Sequence, residues 1–256
     1  MNATLAIWLI LLATFISHCS AHAQDQAPSL PPPIRADLSG NGQPQSYQLK
    51  SSPDQSQTLL TTGKDSIPLD QTFTDSQSHE ITLTSHRVSG ENPREVLVVS
   101  AVQEGDFTSS VLFAQIDGKL TKIGFIEAHG ELLIPGNGTL ISKNWMGFWN
   151  KTEKHVFTQD LQLTHIPQEF YTIDVQGTVI KTFPVYQTRN AKKILANTRQ
   201  GSQFKILLWD PASRTSEREH VSFDNEWYLI QTESGFTGWV QGRHLQSEFA
   251  TLPWAG

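Results

Sequence analysis

The residues that could carry chemistry are mainly histidines and carboxylates. The chain has nine histidines and 25 acidic residues. His79 and Glu80 open a zinc-protease pattern, but no second histidine follows three residues after the glutamate. His155 and His165 lie ten residues apart around a predicted turn, a spacing that by itself indicates no site. We therefore expect the histidines to be surface or hydrogen-bonding residues.

Other catalytic patterns are missing from the sequence. It contains neither the Gly-x-Ser-x-Gly turn of serine hydrolases nor the Gly-x-x-x-x-Gly-Lys loop that binds phosphates. Carboxylate pairs for glycoside hydrolysis stay open, because their separation in space decides that chemistry. We expect no enzyme, and the alternative is a hydrolase that uses carboxylates of the N-terminal region.

The first 23 residues predict export. An apolar core runs from Leu5 to Ile16, too short to span a bilayer as a helix, and Ala21-His22-Ala23 gives the small-x-small pattern at which signal peptides are cut. We expect residues 1–23 to be removed and the remaining chain, with no transmembrane segment, to be soluble and periplasmic or secreted. The only cysteine, Cys19, would leave with this peptide, which excludes disulfides and thiolate sites from the mature protein.

The charge pattern argues against a nucleic-acid partner. The formal net charge is −6 and the sequence has no basic run. Binding to a phosphate backbone draws its affinity from clustered lysines and arginines. We therefore expect no nucleic acid among the partners.

The rest of the chain predicts an all-β protein. After a proline-rich linker at residues 24–34, strand and turn patterns follow one another without a long amphipathic helix. The β-branched run 96–102 predicts a buried strand, and Asp117-Gly118 predicts a hairpin turn. We predict an antiparallel β domain at residues 35–170, either a sandwich or an open propeller-like sheet.

A weak internal repeat with a period of about fifty residues supports this domain. Residues 37–44 and 89–93 each precede a β run, and a Gly-Lys turn follows each run, at 63–64 and at 118–119. The period is in the range of propeller blades. A closed propeller needs about four or more blades, however, and the domain is too short to supply them.

The stretch from Asp37 onward resembles the Asp-x-Asp-x-Asp-Gly calcium loops of the exported FG-GAP and VCBS repeat families. By that resemblance Asp37, Ser39 and Asn41 occupy the first three ligand positions and Gly42 the turn position. Calcium affinity follows ligand charge and number, so a single carboxylate predicts a weak calcium site. An Asn-Gly turn that joins two strands is the alternative. We expect no cofactor other than this possible calcium ion.

The C-terminal region resembles the bacterial SH3 (SH3b) family from Gly177 onward. The best match is Trp227 to Val240, which reads Trp-Tyr-Leu-Ile, a short turn and Gly-Phe-Thr-Gly-Trp-Val. The usual first-strand motif is replaced at 184–188, and a charged insertion occupies 210–225. The resemblance implies an SH3-like β-barrel at residues 171–250, followed by a tail at 251–256. This region has enough apolar residues for a small core of its own.

Aromatic residues give the candidate binding site. SH3 folds bind extended peptides along an aromatic surface, so Trp227 and Tyr186 are the candidate ligand-binding residues, whereas Trp239 is expected in the core. Three further rings crowd into residues 145–149. If this segment is a strand, Trp145 and Trp149 share a face, either for packing or as a stacking platform.

The expected function is that of a non-catalytic envelope protein whose SH3-like module binds a peptide-like ligand or a protein partner. The family resemblance implies that the ligand could be a cell-wall peptide, part of peptidoglycan. Besides the hydrolase, a second alternative is a structural or inhibitory partner in an envelope complex.

Overall fold

The described chain is all-β, as predicted. The computed structural model describes residues 30–63, 65–70, 73, 80–88, 94–130, 132–190, 192–213 and 223–254. The expected signal peptide 1–23 and residues 24–29 of the expected linker lie outside this range. Within it, strands form four antiparallel sheets, joined by turns and single-turn 3-10 helices. None of the described helices has the length and apolar character needed to cross a bilayer.

The first three sheets are meanders, in which each strand pairs with the next one along the chain. The first sheet contains β1 (Ile34–Ala36), β2 (Gln45–Ser51), β3 (Thr58–Thr61) and β4 (Ser66–Pro68). The second contains β5 (Glu80–Arg87), β6 (Glu95–Val102), β7 (Phe107–Ile116) and β8 (Lys119–His129). The third contains β9 (Thr139–Trp145), β10 (Asn150–Phe157) and β11 (Leu163–Ile166).

The internal repeat corresponds to the first two meanders. The Asp37 stretch connects β1 to β2, and residues 89–93, which lie outside the described residues, connect β5 to β6. Gly63 and Gly118 stand in the turns between the third and fourth strands of their sheets. Asp117 and Gly118 have φ angles of +50° and +75°, as the predicted hairpin turn requires. One repeat unit is therefore one four-stranded sheet.

The second sheet is a middle layer with both faces buried. Successive side chains of a strand point to opposite faces. Val96 and Val98 of β6 enter a core shared with the third sheet, whereas Leu97 and Val99 enter a core shared with the first sheet. All four are at most 3% exposed. This explains why the sequence here is uniformly apolar and does not alternate.

Strands within residues 171–251 form the fourth sheet, whose pairings between described residues do not close into a barrel. Its strands are β12 (Tyr171–Val179), β13 (Pro184–Tyr186), β14 (Ile194–Asn197), β15 (Gln203–Asp210), β16 (Trp227–Thr232), β17 (Thr237–Gln241) and β18 (Ala250–Thr251). Their spatial order is β14-β13-β17-β16-β15-β12-β18, and no pairing between described residues joins the two edge strands. Register shifts interrupt three of the pairings, and such bulges increase local bending.

The core of the fourth sheet includes two rings from the β9–β10 turn. Phe148 and Trp149 are 1% and 3% exposed and belong to this core. The ring centres of Trp149 and Trp209 lie 5.8 Å apart. Residues 145–149 are not one strand, because the Met146 amide donates to the Trp149 carbonyl at 2.8 Å and closes a turn; of the two interpretations of this segment, packing applies to Phe148 and Trp149. Trp145 and Trp149 therefore do not form one stacking platform.

Residues 251–254 of the expected tail belong to the fold. Thr251 pairs with Thr178 of β12, and Leu252 is buried in the core. The ring of Trp254 packs against Phe148, with centres 5.0 Å apart. A Cβ atom on Gly147 would lie 2.7 Å from the Trp254 ring, and the φ of Gly147 is +97°. The glycine therefore allows the end of the chain to close over the β9–β10 turn.

Candidate ligand-binding face

The fourth sheet carries half-buried side chains on the face opposite its core. Tyr186 of β13 pairs with Trp239 of β17, and Trp239 pairs with Leu229 of β16. Paired residues of antiparallel strands point to the same face. The neighbouring residues Val240 and Tyr228 point the other way and are buried. Tyr186, Trp239 and Leu229 therefore form part of an outer face, and each is half-buried.

Arg189 lies beside two aromatic rings at this outer face. Its Cζ atom is 5.3 Å from the centre of the Trp239 ring and 5.6 Å from the centre of the Phe170 ring. The two ring centres are 6.0 Å apart. At these distances the guanidinium makes cation–π contacts with both rings. The geometry therefore joins one cation and two aromatic side chains into a single surface.

A buried carboxylate holds the guanidinium in this position. Arg189 Nη1 donates to Asp210 Oδ2 at 2.5 Å. The Asp210 side chain is 4% exposed, whereas the Arg189 side chain is 46% exposed. A buried charge needs a partner, so Asp210 and Arg189 fix one another. Much of the guanidinium nevertheless stays accessible from outside.

The two predicted ligand-binding residues lie together on the same outer face. The rings of Tyr186 and Trp227 meet edge to face, with centres 5.9 Å apart. Tyr186 is half-buried, but Trp227 is only 9% exposed. Trp227 can therefore offer little of its own surface and chiefly supports Tyr186. Below, "aromatic face" means the set Phe170, Tyr186, Arg189, Trp227 and Trp239.

The expectation that Trp239 packs in the core is wrong. Trp227 pairs with Gln241, and Leu229 pairs with Trp239, so the two tryptophans share a face. The two rings would lie on opposite faces only if β16 and β17 paired with a register shifted by one residue. Val240, the next residue, takes the core position and is 0% exposed. Trp239 is thus the more accessible tryptophan and the better candidate for ligand contact.

The predicted calcium ligands lie close together, but their oxygens bind the loop itself. Asp37 Oδ1 accepts hydrogen bonds from the Ser39 hydroxyl at 3.0 Å and the Asn41 amide at 3.2 Å. Asp37 Oδ2 accepts from the Gly42 amide at 2.6 Å. Burial alone would raise the pKa of Asp37, but these hydrogen bonds outweigh it and hold the pKa below its ordinary value. The carboxylate therefore stabilises the turn between β1 and β2.

A polar cleft of about 570 Å³ lies beside the Asp37 loop. Connections from all three of the first sheets line it, among them Asn41, Arg94, Asp117 and Asp160. Asp117 is in the β7–β8 turn and Asp160 in the β10–β11 turn. This cleft is where the hydrolase alternative would place its acid and base.

A polar cluster on the third sheet was missed by the sequence reasoning. His155 and His165 are direct partners across β10 and β11, and their ring centres lie 5.2 Å apart. Glu153 Oε1 is 3.5 Å from His165 Nε2 and 2.8 Å from Lys151 Nζ. Burial, assisted by the neighbouring His165 and Lys151, lowers the pKa of His155. His155 and His165 are each five residues from residue 160, in the turn between β10 and β11. Residues equally far from a hairpin turn face each other across the two strands, so the sequence contained a signal for this pair.

Comparison with known proteins adds no assignment to these sites. No protein-family model matches the chain, and no curated protein sequence does. In the described part of the chain, no group of three or more His, Cys, Asp or Glu side chains is placed to hold a metal ion. The functional assignment therefore depends on the geometry of the chain's own residues.

Proposed function

We propose that this chain is a non-catalytic, exported protein of the bacterial envelope, periplasmic or secreted, which binds a peptide-like ligand or protein partner through an SH3-like module. The observation that carries the proposal is the half-buried ring of Trp239, held beside Arg189 and Phe170 on the outer face of the fourth sheet. The signal peptide predicted at residues 1–23 supports the location, and the SH3b resemblance supports the ligand class.

The aromatic face has the residue types of a recognition surface, and contacts within it restrict the motion of its side chains. Tryptophan, tyrosine and arginine dominate the binding energy of most interfaces. The ring contacts around Trp239 and the ion pair of Arg189 restrict these side chains before any ligand arrives. Little side-chain freedom is then lost on binding, which favours affinity.

The packing of β13 against β17 supports an SH3-like barrel. A Cβ atom on Gly238 would lie 2.7 Å from the Tyr186 carbonyl oxygen and 2.7 Å from a Val185 methyl carbon. Only glycine permits so close an approach of two backbones. Gly235, with a φ of +86°, supplies the tight turn between β16 and β17. Both glycines belong to the Gly-Phe-Thr-Gly segment on which the resemblance depends.

Cosedimentation with purified peptidoglycan sacculi tests this function. The mature chain should sediment with sacculi, and soluble peptides released from the sacculi should compete. Trp239→Ala should weaken binding by more than about 1 kcal/mol, roughly fivefold, because a central aromatic anchor is removed. Phe236→Ala is the matched control, since Phe236 is 52% exposed in the turn of the same hairpin. Equal losses in the two variants, or no binding by the unaltered protein, would contradict the proposal and favour a structural or inhibitory role.

The hydrolase remains a second candidate because the polar cleft contains two carboxylates, Asp117 and Asp160. Its test uses the same sacculi. Release of soluble fragments by the unaltered protein, lost in Asp117→Asn or Asp160→Asn, would establish that activity. Binding without release of fragments would leave the non-catalytic function as proposed.

A further inference from the structure

We infer that the ligand of the aromatic face is an anionic peptide, whose carboxylates are bound by Arg189 and attracted by the basic loop that contains it. This inference rests on the proposed function and names the ligand class for the same site. Arg189 was not among the residues that the sequence singled out. Its contacts with both Trp239 and Phe170 make it a polar group of the face within reach of a ligand.

Arg189 has donors left for a ligand. A guanidinium carries five N–H groups, and Asp210 accepts from Nη1. With 46% of its side chain exposed, Arg189 can direct further N–H groups to a carboxylate that arrives from solvent. Such charge-assisted bonds are roughly twice as strong as neutral ones. The ring faces beside it exclude water from one side and strengthen the interaction.

The loop between β13 and β14 presents further positive charge. Lys192 and Lys193 follow Arg189 closely, and both are exposed. Asn190 Oδ1 accepts hydrogen bonds from the Lys192 amide at 3.1 Å and from the Thr188 hydroxyl at 2.7 Å. These hydrogen bonds stabilise the described part of the loop, which carries Arg189 and the two exposed lysines close together in the chain.

The loop between β13 and β14 is positively charged, whereas the protein as a whole carries a negative net charge. The formal net charge of the chain is −6, yet the loop contains three cations and no carboxylate. Among the described residues, the carboxylate paired with Arg189 is the buried Asp210, and the exposed Glu169 precedes Phe170 in the chain. A local positive potential on an acidic protein attracts anionic ligands and repels cationic ones. A peptide that carries carboxylates complements both the rings and the charge.

Two synthetic decapeptides, alternating Ala-Glu and alternating Ala-Gln, separate charge recognition from peptide binding. We expect the unaltered protein to bind the Glu peptide about tenfold more tightly, because ionised acceptors make the stronger bonds. The preference should shrink when salt rises from about 0.05 to 0.5 M, since exposed charges are screened. Calorimetric titration measures both affinities.

Three variants test the assigned groups. Arg189→Gln should remove most of the preference for Glu over Gln, and Arg189→Lys should restore only part of it, because an ammonium lacks the planar fork of donors. Arg189→Gln removes one charged partner of the buried Asp210 carboxylate and is expected to lower the stability of the fold. The double variant Lys192→Gln/Lys193→Gln avoids this problem, because both side chains are exposed. It should reduce the preference severalfold with unchanged thermal stability.

The outcomes distinguish the inference from the proposed function. Equal affinity for the two peptides, with binding to both lost in Trp239→Ala, would overturn the anionic ligand and retain the recognition surface. An unchanged preference in the double lysine variant and in Arg189→Lys would also overturn the inference. If neither peptide binds but sacculi do, the anionic-peptide inference falls alone. Failure of peptides and sacculi together overturns the proposed function as well.

Discussion

Trp227 and Trp239 lie on the same face of the fourth sheet, but their exposures are the reverse of what the sequence suggested. Trp227 is 9% exposed and has the ring of Tyr186 against it, whereas Trp239 is half-buried beside Arg189. Cross-strand pairing explains the shared face, because Trp227 opposes Gln241 while Leu229 opposes Trp239. The two residues therefore have different roles. Trp227 packs against Tyr186 and supports the aromatic face, whereas Trp239 exposes part of its ring to a ligand.

This difference predicts unequal costs of removing the two rings. Trp227→Ala should lower the free energy of unfolding by about 3–5 kcal/mol, as expected for a large buried ring. Trp239→Ala should cost less than half of that, because part of the ring already contacts solvent. Urea titration of each variant measures both values. Equal losses would show that Trp239 is as deeply packed as Trp227.

The contact between Gly147 and Trp254 predicts a steric effect that a matched glycine can isolate. Gly147 and Gly130 both have positive φ, +97° and +82°, but only Gly147 has a ring where a Cβ would stand. Gly130→Ala should cost about 1–2 kcal/mol from backbone strain alone. Gly147→Ala should cost about 1–3 kcal/mol more, because Trp254 must move. If the two variants lost the same free energy of unfolding, the contact between Gly147 and Trp254 would not explain the loss in Gly147→Ala.

The position of Phe148 and Trp149 predicts how fragments fold. The sequence suggested that residues 171 onward fold alone, but two rings of the core come from the β9–β10 turn. A fragment of residues 139–256 should therefore be more stable than one of residues 171–256. Urea titration with amide NMR spectra of each fragment measures the difference. Equal stability would show that the turn is dispensable to this core.

Two half-buried histidines predict a loss of stability in mild acid. Burial is the main cause that lowers the pKa of His155 and of His244, and Nδ1 of His244 is buried without a hydrogen-bond partner among the described residues. The unfolded chain therefore binds protons more readily than the folded one. The stabilisation is complete above the ordinary histidine pKa of about 6.5 and is lost as the pH falls from there through the lower pKa of the folded state.

Unfolding free energies at about pH 7.5 and pH 5.5 test this assignment. The unaltered protein should be less stable at the lower pH. The double variant His155→Gln/His244→Gln should depend less on pH over this interval, because glutamine does not titrate. If the stability of the double variant depended on pH as steeply as that of the unaltered protein, the dependence would come from titratable groups other than these two histidines.

The Asp37 loop predicts little response to calcium. Asp37 already accepts hydrogen bonds from Ser39, Asn41 and Gly42, so the loop holds its shape through its own donors. Chelator and millimolar calcium should each leave the melting temperature almost unchanged. A ligand that binds only the native state must stabilise it. A rise of several degrees with calcium, absent in Asp37→Asn, would therefore establish a calcium site.

Local patterns allowed much of the fold to be predicted from sequence. The hairpin at Asp117-Gly118 and the strands on either side of Gly235 follow from turn chemistry and β-propensity, and both are present. The apolar run 96–99 correctly indicated a buried strand. Each of these features depends on residues close together in the chain.

The parts that escaped prediction depend on contacts between distant segments. The three rings at residues 145–149 indicated packing near the domain junction, but the sequence did not show which of them would enter the core of the sheet that begins at residue 171. The face on which Trp239 lies follows from its register with Leu229, which residue types alone did not reveal. Arg189 became a candidate only when its approach to Phe170 was known. Binding sites assembled across strands are therefore harder to predict than the strands.

The amide hydrogens of the two inner strands of the second sheet can exchange with solvent only when a large part of the N-terminal sheets unfolds. β6 and β7 are paired on both sides, and packed sheets cover both faces. Their amides should therefore exchange with deuterium most slowly, whereas strands at the sheet edges exchange through local opening. Val98 and Val99 are adjacent in the chain but enter different cores. Isotope-labelled methyl groups on these two valines would consequently report separately on the two sides of the N-terminal sheets.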